Sequence, residues 1–264
     1  MAPPNTASRA ATVRERARAE LSREIKEEAR RQLAASGADG LSLRAVAKEL
    51  GKVSSALYRY YPSRDDLLTV LIIDAYDALG AAAEGAIAAG QAAGGQQVPA
   101  RARWVAACHA VRGWAVANPH EYALIYGSPV PGYRAPQATI EPAARVPLAF
   151  VGLLGEALAR GELGGPGGPG GAGDASLPVT GPLAEQANAL SAALAQSAPG
   201  NGGAGGAAPA ALPPDVLVRA VIAWTQLFGM ISFELFGQFV GSFEPADALF
   251  GHAAQQLAAF VGLR

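Results

Sequence analysis

The run from Leu43 to Tyr61 constrains this chain most, because two short apolar stripes stand there on either side of a glycine. Leu43, Val46, Ala47 and Leu50 fall at i, i+3, i+4 and i+7, one face of a helix. Gly51 follows, a residue that can turn the chain with positive φ at little cost. Beyond it Val53, Leu57 and Tyr61 recur at four-residue spacing and predict a second short helix with an apolar inner face. Small Ala47 lets the two helices approach and Leu57 fills the angle between them, which is the packing a helix-turn-helix corner needs.

The outer face of the second helix carries Ser54, Ser55, Tyr58, Arg59 and Tyr60. These side chains suit a duplex. Arg59 can fork onto a guanine edge or a phosphate, the serines are short donors at a helix N-terminus, and the phenols reach phosphates or thymine methyls. Tyr61 reads better as a core aromatic and Tyr58 as an outward one. Ser42 is placed to cap the first helix, with Arg44 one turn in, while Lys52 and Arg64 flank the reader as backbone clamps.

Charge is distributed to match. Residues 1–64 hold 13 Lys and Arg against 7 Asp and Glu, whereas residues 65–264 hold 8 against 15, which together give the net charge of −1. A basic head on an acidic body is what a protein that touches phosphate at one end would show. Arg9, Arg14 and Arg16 are the better candidates for touching DNA. Arg23, Lys26, Arg30 and Arg31 interleave with glutamates and read as a solvated helix face.

With these residues in view, the chain resembles the TetR family of transcriptional regulators over roughly its first 85 positions. The resemblance rests on a long first helix to about Ser36, the turn through Gly37, Asp39 and Gly40, the run Ser42 to Tyr61, and Pro62 to Leu68 opening a fourth helix. Ser63 as N-cap with Asp66 three residues on approximates a capping box. The resemblance implies that Ser42, Arg44, Ser54, Ser55, Ala56, Tyr58, Arg59, Tyr60 and Arg64 lie at or near DNA. One departure is Lys52, at a position usually apolar in the family. Further on, Arg112, Gly113 and Trp114, then Asn118 to Pro129, resemble a C-terminal subgroup of the family marked by a Trp, a His and a Gly. The implied fold is all-α: a three-helix DNA-binding domain over residues 1–63, and a larger helical ligand-binding and dimerisation domain over residues 64–264.

The pattern Leu67, Leu68, Leu71, Ile72, Ala75, Leu79 continues the fourth helix into the second domain and offers a lever between a ligand site and the reader. Helices are predicted over about Ala100 to Ala117, near His120 to Tyr126, over Pro142 to Arg160 despite Pro147 and Gly152, and over Leu183 to Gln196. Gly- and Pro-rich stretches near 161–181 and 198–214 read as flexible loops. In the last two helices Trp224, Leu227, Phe228, Ile231, Leu235 and Phe236, and then Leu249, Phe250, Ala253, Leu257, Phe260 and Val261, form stripes. They suit a homodimer interface of twofold symmetry, or alternatively the closing of the monomer's own core.

Polar or aromatic residues on apolar helices are the candidates for an effector site: Trp104, Cys108, His109, Arg112, His120, Tyr122, Tyr126, Trp224, Gln226 and Phe228. Their balance suits a small hydrophobic or aromatic molecule. No catalytic residue is expected. His109, His120 and His252 lack metal-ligand spacing, and Cys108 beside His109 points the pair about 100° apart on a helix. Neither a cofactor nor a metal is implied. A protein-only adaptor would leave the basic head unexplained. No uninterrupted apolar run of about 18 residues and no signal-like N-terminus are present, and Cys108 has no second cysteine to pair with, so a cytoplasmic setting away from membranes is expected. The expectation is a DNA-binding repressor released from a palindromic operator by a small effector, or an activator of the same family.

Overall fold

A computed structural model describes residues 6–92, 98–164, 178–197 and 211–264. It holds ten α-helices and no sheet among those residues: α1 Thr6–Ser36, α2 Leu43–Glu49, α3 Ser54–Leu57, α4 Arg64–Ala92, α5 Ala100–Ala117, α6 Pro119–Tyr126, α7 Ile140–Ala159, α8 Gly181–Ser197, α9 Pro214–Leu235 and α10 Asp247–Phe260. The expected all-α class is what the chain adopts. Most of both predicted flexible loops, residues 165–177 and 198–210, lies outside the described residues.

The chain divides into two compact units, one of residues Met1–Tyr76 with Asn118–Ile140, the other of Asp77–Ala117 with Glu141–Arg264. The sequence division at 63/64 is therefore not where the compact units part. The cut falls within α4, and α6 with its following loop groups with the N-terminal residues.

In the first unit, Ile25, Ala29 and Leu33 of α1, Leu43, Val46 and Ala47 of α2, Leu57 of α3, Tyr61, and Leu67, Leu68, Leu71 and Ile72 of α4 form one core. Leu124, Ile125, Val130 and Tyr133 pack against it. Local signals set the ends of these elements. Ser42 accepts from the Ala45 N–H at 3.4 Å and so caps α2. Gly51, at φ 62°, closes α2: its own N–H donates to the Lys48 carbonyl at 3.0 Å and the Lys52 N–H to the Ala47 carbonyl at 2.9 Å. That pairing is a Schellman closure, which needs the left-handed residue glycine supplies. Ser63 Oγ accepts from the Asp66 N–H at 3.1 Å at the start of α4.

In the second unit α10 packs on α5, α8 on α9, and α9 on both α5 and α10. α7 runs through Pro147 without a break. Two helical segments, Gln137–Ala159 and Pro214–Leu235, are long and apolar enough to cross a membrane by length and composition. Core packing accounts for part of that apolarity: α7 buries Val146, Phe150, Leu153, Leu154 and Ala157, and α9 buries Val216, Leu217, Ala220, Ala223, Leu227, Phe228 and Ile231. Their charges are also engaged: Arg145 pairs with Asp77 and Glu84 at 2.8 and 2.6 Å, Arg219 with Asp215 at 2.8 Å.

Half of each stripe expected to meet a second chain is turned into the monomer's own core, the alternative the sequence left open, while Phe236 at the end of the first stripe stays exposed. Leu227, Phe228 and Ile231 of α9, and Phe250, Leu257 and Val261 in and after α10, are buried within the unit's own core. α9 is apolar on its other face as well, where Val221, Ile222 and Phe233 are exposed, with Phe236 just beyond its end. Periodicity cannot choose between two apolar faces of one helix.

Candidate nucleic-acid interface

The corner is braced from behind. Leu57 is fully buried beneath α3, and Tyr61 is buried with its hydroxyl 2.8 Å from Ser22 Oγ of α1. α3 spans only Ser54–Leu57 as a regular helix and then turns through Tyr58 to Tyr60, shorter than the sequence pattern suggested. Val53 departs further from expectation. It stands at the N-cap in extended conformation, φ −73° and ψ 136°, and is 72% exposed. Four-residue spacing places a residue on the inner face only if it is itself helical, and Val53 is not.

Ser55, Tyr58 and Arg59 are exposed around this corner, as are Arg44 and Lys52, while Ser42, Ser54, Ala56 and Tyr60 are half-buried. Tyr60 lies under the Arg18 guanidinium, which stands 5.7 Å from its ring centre. Arg14, Arg16 and Arg18 are exposed on α1, and the side chain of Arg9 is outside the described residues. Arg64 is engaged within the protein: its guanidinium donates to the Ala38 carbonyl at 2.7 Å and lies 3.5 Å from Asp65. The arrangement presents hydroxyl donors, an exposed guanidinium and an exposed phenol on the corner, the chemistry that meets phosphates and base edges.

The reading of α1 as a solvated charged face holds for Arg23, which pairs with Glu20 and Glu27, and for the exposed Arg31, although its partner Glu28 is buried. It does not hold for Lys26 and Arg30. Both reach Asp74 of α4, at 2.8 and 2.9 Å, and Arg30 also holds Glu121 of α6 at 2.8 Å. These partners lie 44 and 91 residues from Arg30, beyond any local pattern.

The effector candidates are scattered in role. Trp104, Cys108 and Phe228 are buried in the second unit, where Trp104 stacks edge-on against Phe150 at 4.6 Å and Trp224 meets Phe228 at 5.9 Å. Burial pushes the Cys108 thiol up to about 12. Arg112 is committed to Glu234 by two bonds of 2.6 and 2.7 Å, to Asp247 at 3.0 Å and to the Phe250 ring. His109 is exposed and meets Phe250 edge-on at 5.4 Å, and Gln226 is exposed. Tyr122 and Tyr126 belong to the first unit, with ring centres 5.3 Å apart, and His120 is exposed there. Burial, followed by the nearby Tyr76 and Tyr122, drives the Tyr126 phenol well above its ordinary value.

Residues 25–71 match the family model described as bacterial regulatory proteins, tetR family, and residues 104–257 match the tetracyclin repressor-like C-terminal domain. The HTH-type transcriptional regulator Rv1816 of Mycobacterium tuberculosis is 45% identical over 152 residues, 56% of this chain and 61% of the relative. The chain thus spans about 61% of the length of the curated relatives it matches. A solved structure described as a regulatory protein, SCO4313, is 33% identical with a TM-score of 0.62, covering 92% of this chain and 97% of that one. A Rhodococcus sp. RHA1 protein of unknown function shares the fold at 24% identity and TM-score 0.61, over 92% and 95% of the two chains. The two domain matches follow one another along the chain, the first over the braced corner and the second over the helices beyond it: the chain belongs to the tetR family of bacterial regulatory proteins.

Proposed function

We propose that the chain is a dimeric transcriptional repressor, acting in the cytoplasm, whose paired corners hold a roughly palindromic operator duplex. A small hydrophobic or aromatic effector bound in the second unit then releases it. One observation carries the reading. Arg59, Ser55 and Tyr58 stand exposed on a corner whose opposite side is fixed by Leu57 and by the Tyr61–Ser22 contact. Ser42, Arg44, Lys52, Ser54, Ala56, Tyr60 and Arg64 complete the proposed contact set, with Arg64 acting mainly by holding the turn at Ala38. The names of the mycobacterial relatives, HTH-type transcriptional regulators, support the same reading.

The second apolar face of α9 supports dimerisation through the last two helices by residues other than the inward halves of those stripes. From Val218 to Phe236 the face runs Val218, Val221, Ile222, Thr225, Gln226, Gly229, Ser232, Phe233 and Phe236, without a charge. An exposed, uncharged and largely apolar face of this length favours being covered, and a second copy covers it symmetrically. For the effector, the indole N–H groups of Trp104 and Trp224 are buried with no acceptor among the described residues. Buried donors of this kind favour an apolar effector carrying hydrogen-bond acceptors. As the ligand can act only through unequal affinity for two states, α4 is the proposed path between the effector and the reader.

Selection of random duplexes on the purified protein tests the proposal. Enriched sites should show two half-sites related by twofold symmetry, about one helical turn or a multiple of it apart. Absence of any enriched sequence, or a single unrepeated half-site, would overturn it.

A further inference from the structure

α1 reaches well ahead of the corner it braces. It begins at Thr6, whereas the match to the family's DNA-binding domain begins at residue 25, so about five helical turns precede that match. Two side chains one turn apart on this leading part, Arg18 and Ser22, hold two consecutive residues of the corner, Tyr60 and Tyr61. Ser22 meets the Tyr61 hydroxyl at 2.8 Å, and the Arg18 guanidinium stands over the Tyr60 ring, 5.7 Å from its centre. The same four residues, with Glu15 and Ala19, line an open groove of about 410 Å³.

The fold leaves the charge of Arg18 unmatched. Further along the same helix Arg23, Lys26, Arg30 and Arg31 each pair with a carboxylate. Arg18 is exposed and pairs with none among the described residues, although Glu15 lines the same groove. A guanidinium lying over a ring engages through its face and keeps its in-plane N–H donors for another partner. Tyr60 directly follows Arg59, so a cation held over it stands beside the reader, where the strand bordering an occupied groove passes. We infer that Arg18 is a further phosphate contact of the duplex and that Tyr60 positions it, a pair of roles that rests on the operator-binding proposal and extends its contact set to the leading part of α1. Arginine loses rotamer freedom when a ligand orders it, and a side chain already resting on Tyr60 has lost part of that freedom before the duplex arrives.

The test is fluorescence anisotropy of full-length variants on a labelled random duplex and on the selected operator, from low to high salt. Arg18→Ala should weaken binding to both about fivefold to tenfold at about 0.1 M salt and lower the salt slope by about one counterion. Its thermal unfolding should stay at the parent midpoint, because the side chain is exposed. Arg18→Lys should keep the slope and lose part of the affinity, since an ammonium carries the charge without the planar stack. A double-mutant cycle reads the part played by Tyr60. The loss caused by Arg18→Ala should persist in a Tyr60→Phe background, which keeps the ring, and shrink to about twofold in Tyr60→Leu. An unchanged slope in Arg18→Ala, or an Arg18 loss of equal size in the Phe and Leu backgrounds, would overturn the inference and leave the operator reading standing. A parent protein that binds neither duplex would overturn the operator reading, and this inference with it.

Discussion

The hydroxyls of Tyr61 and Ser22 meet at 2.8 Å, tying the residue that ends the reading corner to the middle of α1, 39 positions earlier in the chain. The contact is partly buried, so it is shielded from water on one side only. Tyr61→Phe and Ser22→Ala should each cost about 1 kcal/mol of stability, and Tyr61→Ala about 3 to 4 kcal/mol, because the ring itself fills the core. Urea denaturation of the two single variants and the double variant checks this. A double-mutant coupling near zero would show that the hydroxyls do not act together.

Arg59 is exposed on the corner, whereas Arg14 is exposed on α1, ahead of it. If Arg59 reads a base edge, Arg59→Ala should weaken operator binding by about 1 to 3 kcal/mol and leave random duplex nearly untouched. Arg14→Ala should weaken both alike and flatten the salt dependence by about one counterion. Fluorescence anisotropy on the two duplexes at several salt concentrations separates the cases, and equal losses for Arg59→Ala would make it a phosphate clamp.

Much of the corner could be read from residues alone because its ends are decided locally. Ser42, Gly51 and Ser63 each act on backbone groups within five residues, and α5 falls at Ala100–Ala117 as its stripe predicts. What escaped the sequence depends on distant partners or on a choice between equivalent faces. Lys26 and Arg30 look like surface charges until Asp74 and Glu121 are brought beside them. Val53 sits in step with Leu57, but its extended backbone takes it out of the helix. On α9 both faces are apolar, so the stripe through Leu227 and Ile231 could be found but its destination could not.

Gly51 offers a clean backbone test. A Cβ built there meets nothing within 4 Å, so any cost of substitution comes from φ 62° alone. Gly51→Ala should lose about 1 kcal/mol, and Gly51→Asn less, because asparagine tolerates the left-handed region better. Thermal unfolding ranks the three proteins. An alanine variant as stable as the parent would mean that the turn after α2 relaxes to a right-handed conformation.

Arg112 gathers Glu234 from α9 and Asp247 and Phe250 from α10 around one guanidinium on α5. The Arg112 and Glu234 side chains are only 13% and 19% exposed, so removing the cation leaves a carboxylate largely out of water. Arg112→Ala should cost about 2 to 3 kcal/mol, and Arg112→Lys less. The Arg112 hydrogen bond, then its charge, holds the Asp247 carboxyl below the usual range. The contribution of Asp247 is therefore present at neutral pH and disappears as pH falls through that lowered value. Urea midpoints measured from neutral pH into acid should fall less steeply in Arg112→Ala than in the parent.

Cys108 is fully buried on α5 and its thiol is pushed up to about 12 by that burial. The thiolate is the reactive form, so a disulfide reagent should modify the native protein slowly near pH 8 and at once after unfolding. The same shift sets a stability limit at high pH. The folded chain keeps the proton that an unfolded thiol gives up above its ordinary value near 9, so unfolding releases a proton and stability declines as pH rises between about 9 and 12. Cys108→Ala removes that titration, so the difference between parent and variant should narrow over this window. Rapid labelling of the native protein at pH 8, at a rate matching the unfolded chain, would show instead that α5 opens far more often than a residue with no exposed surface should allow.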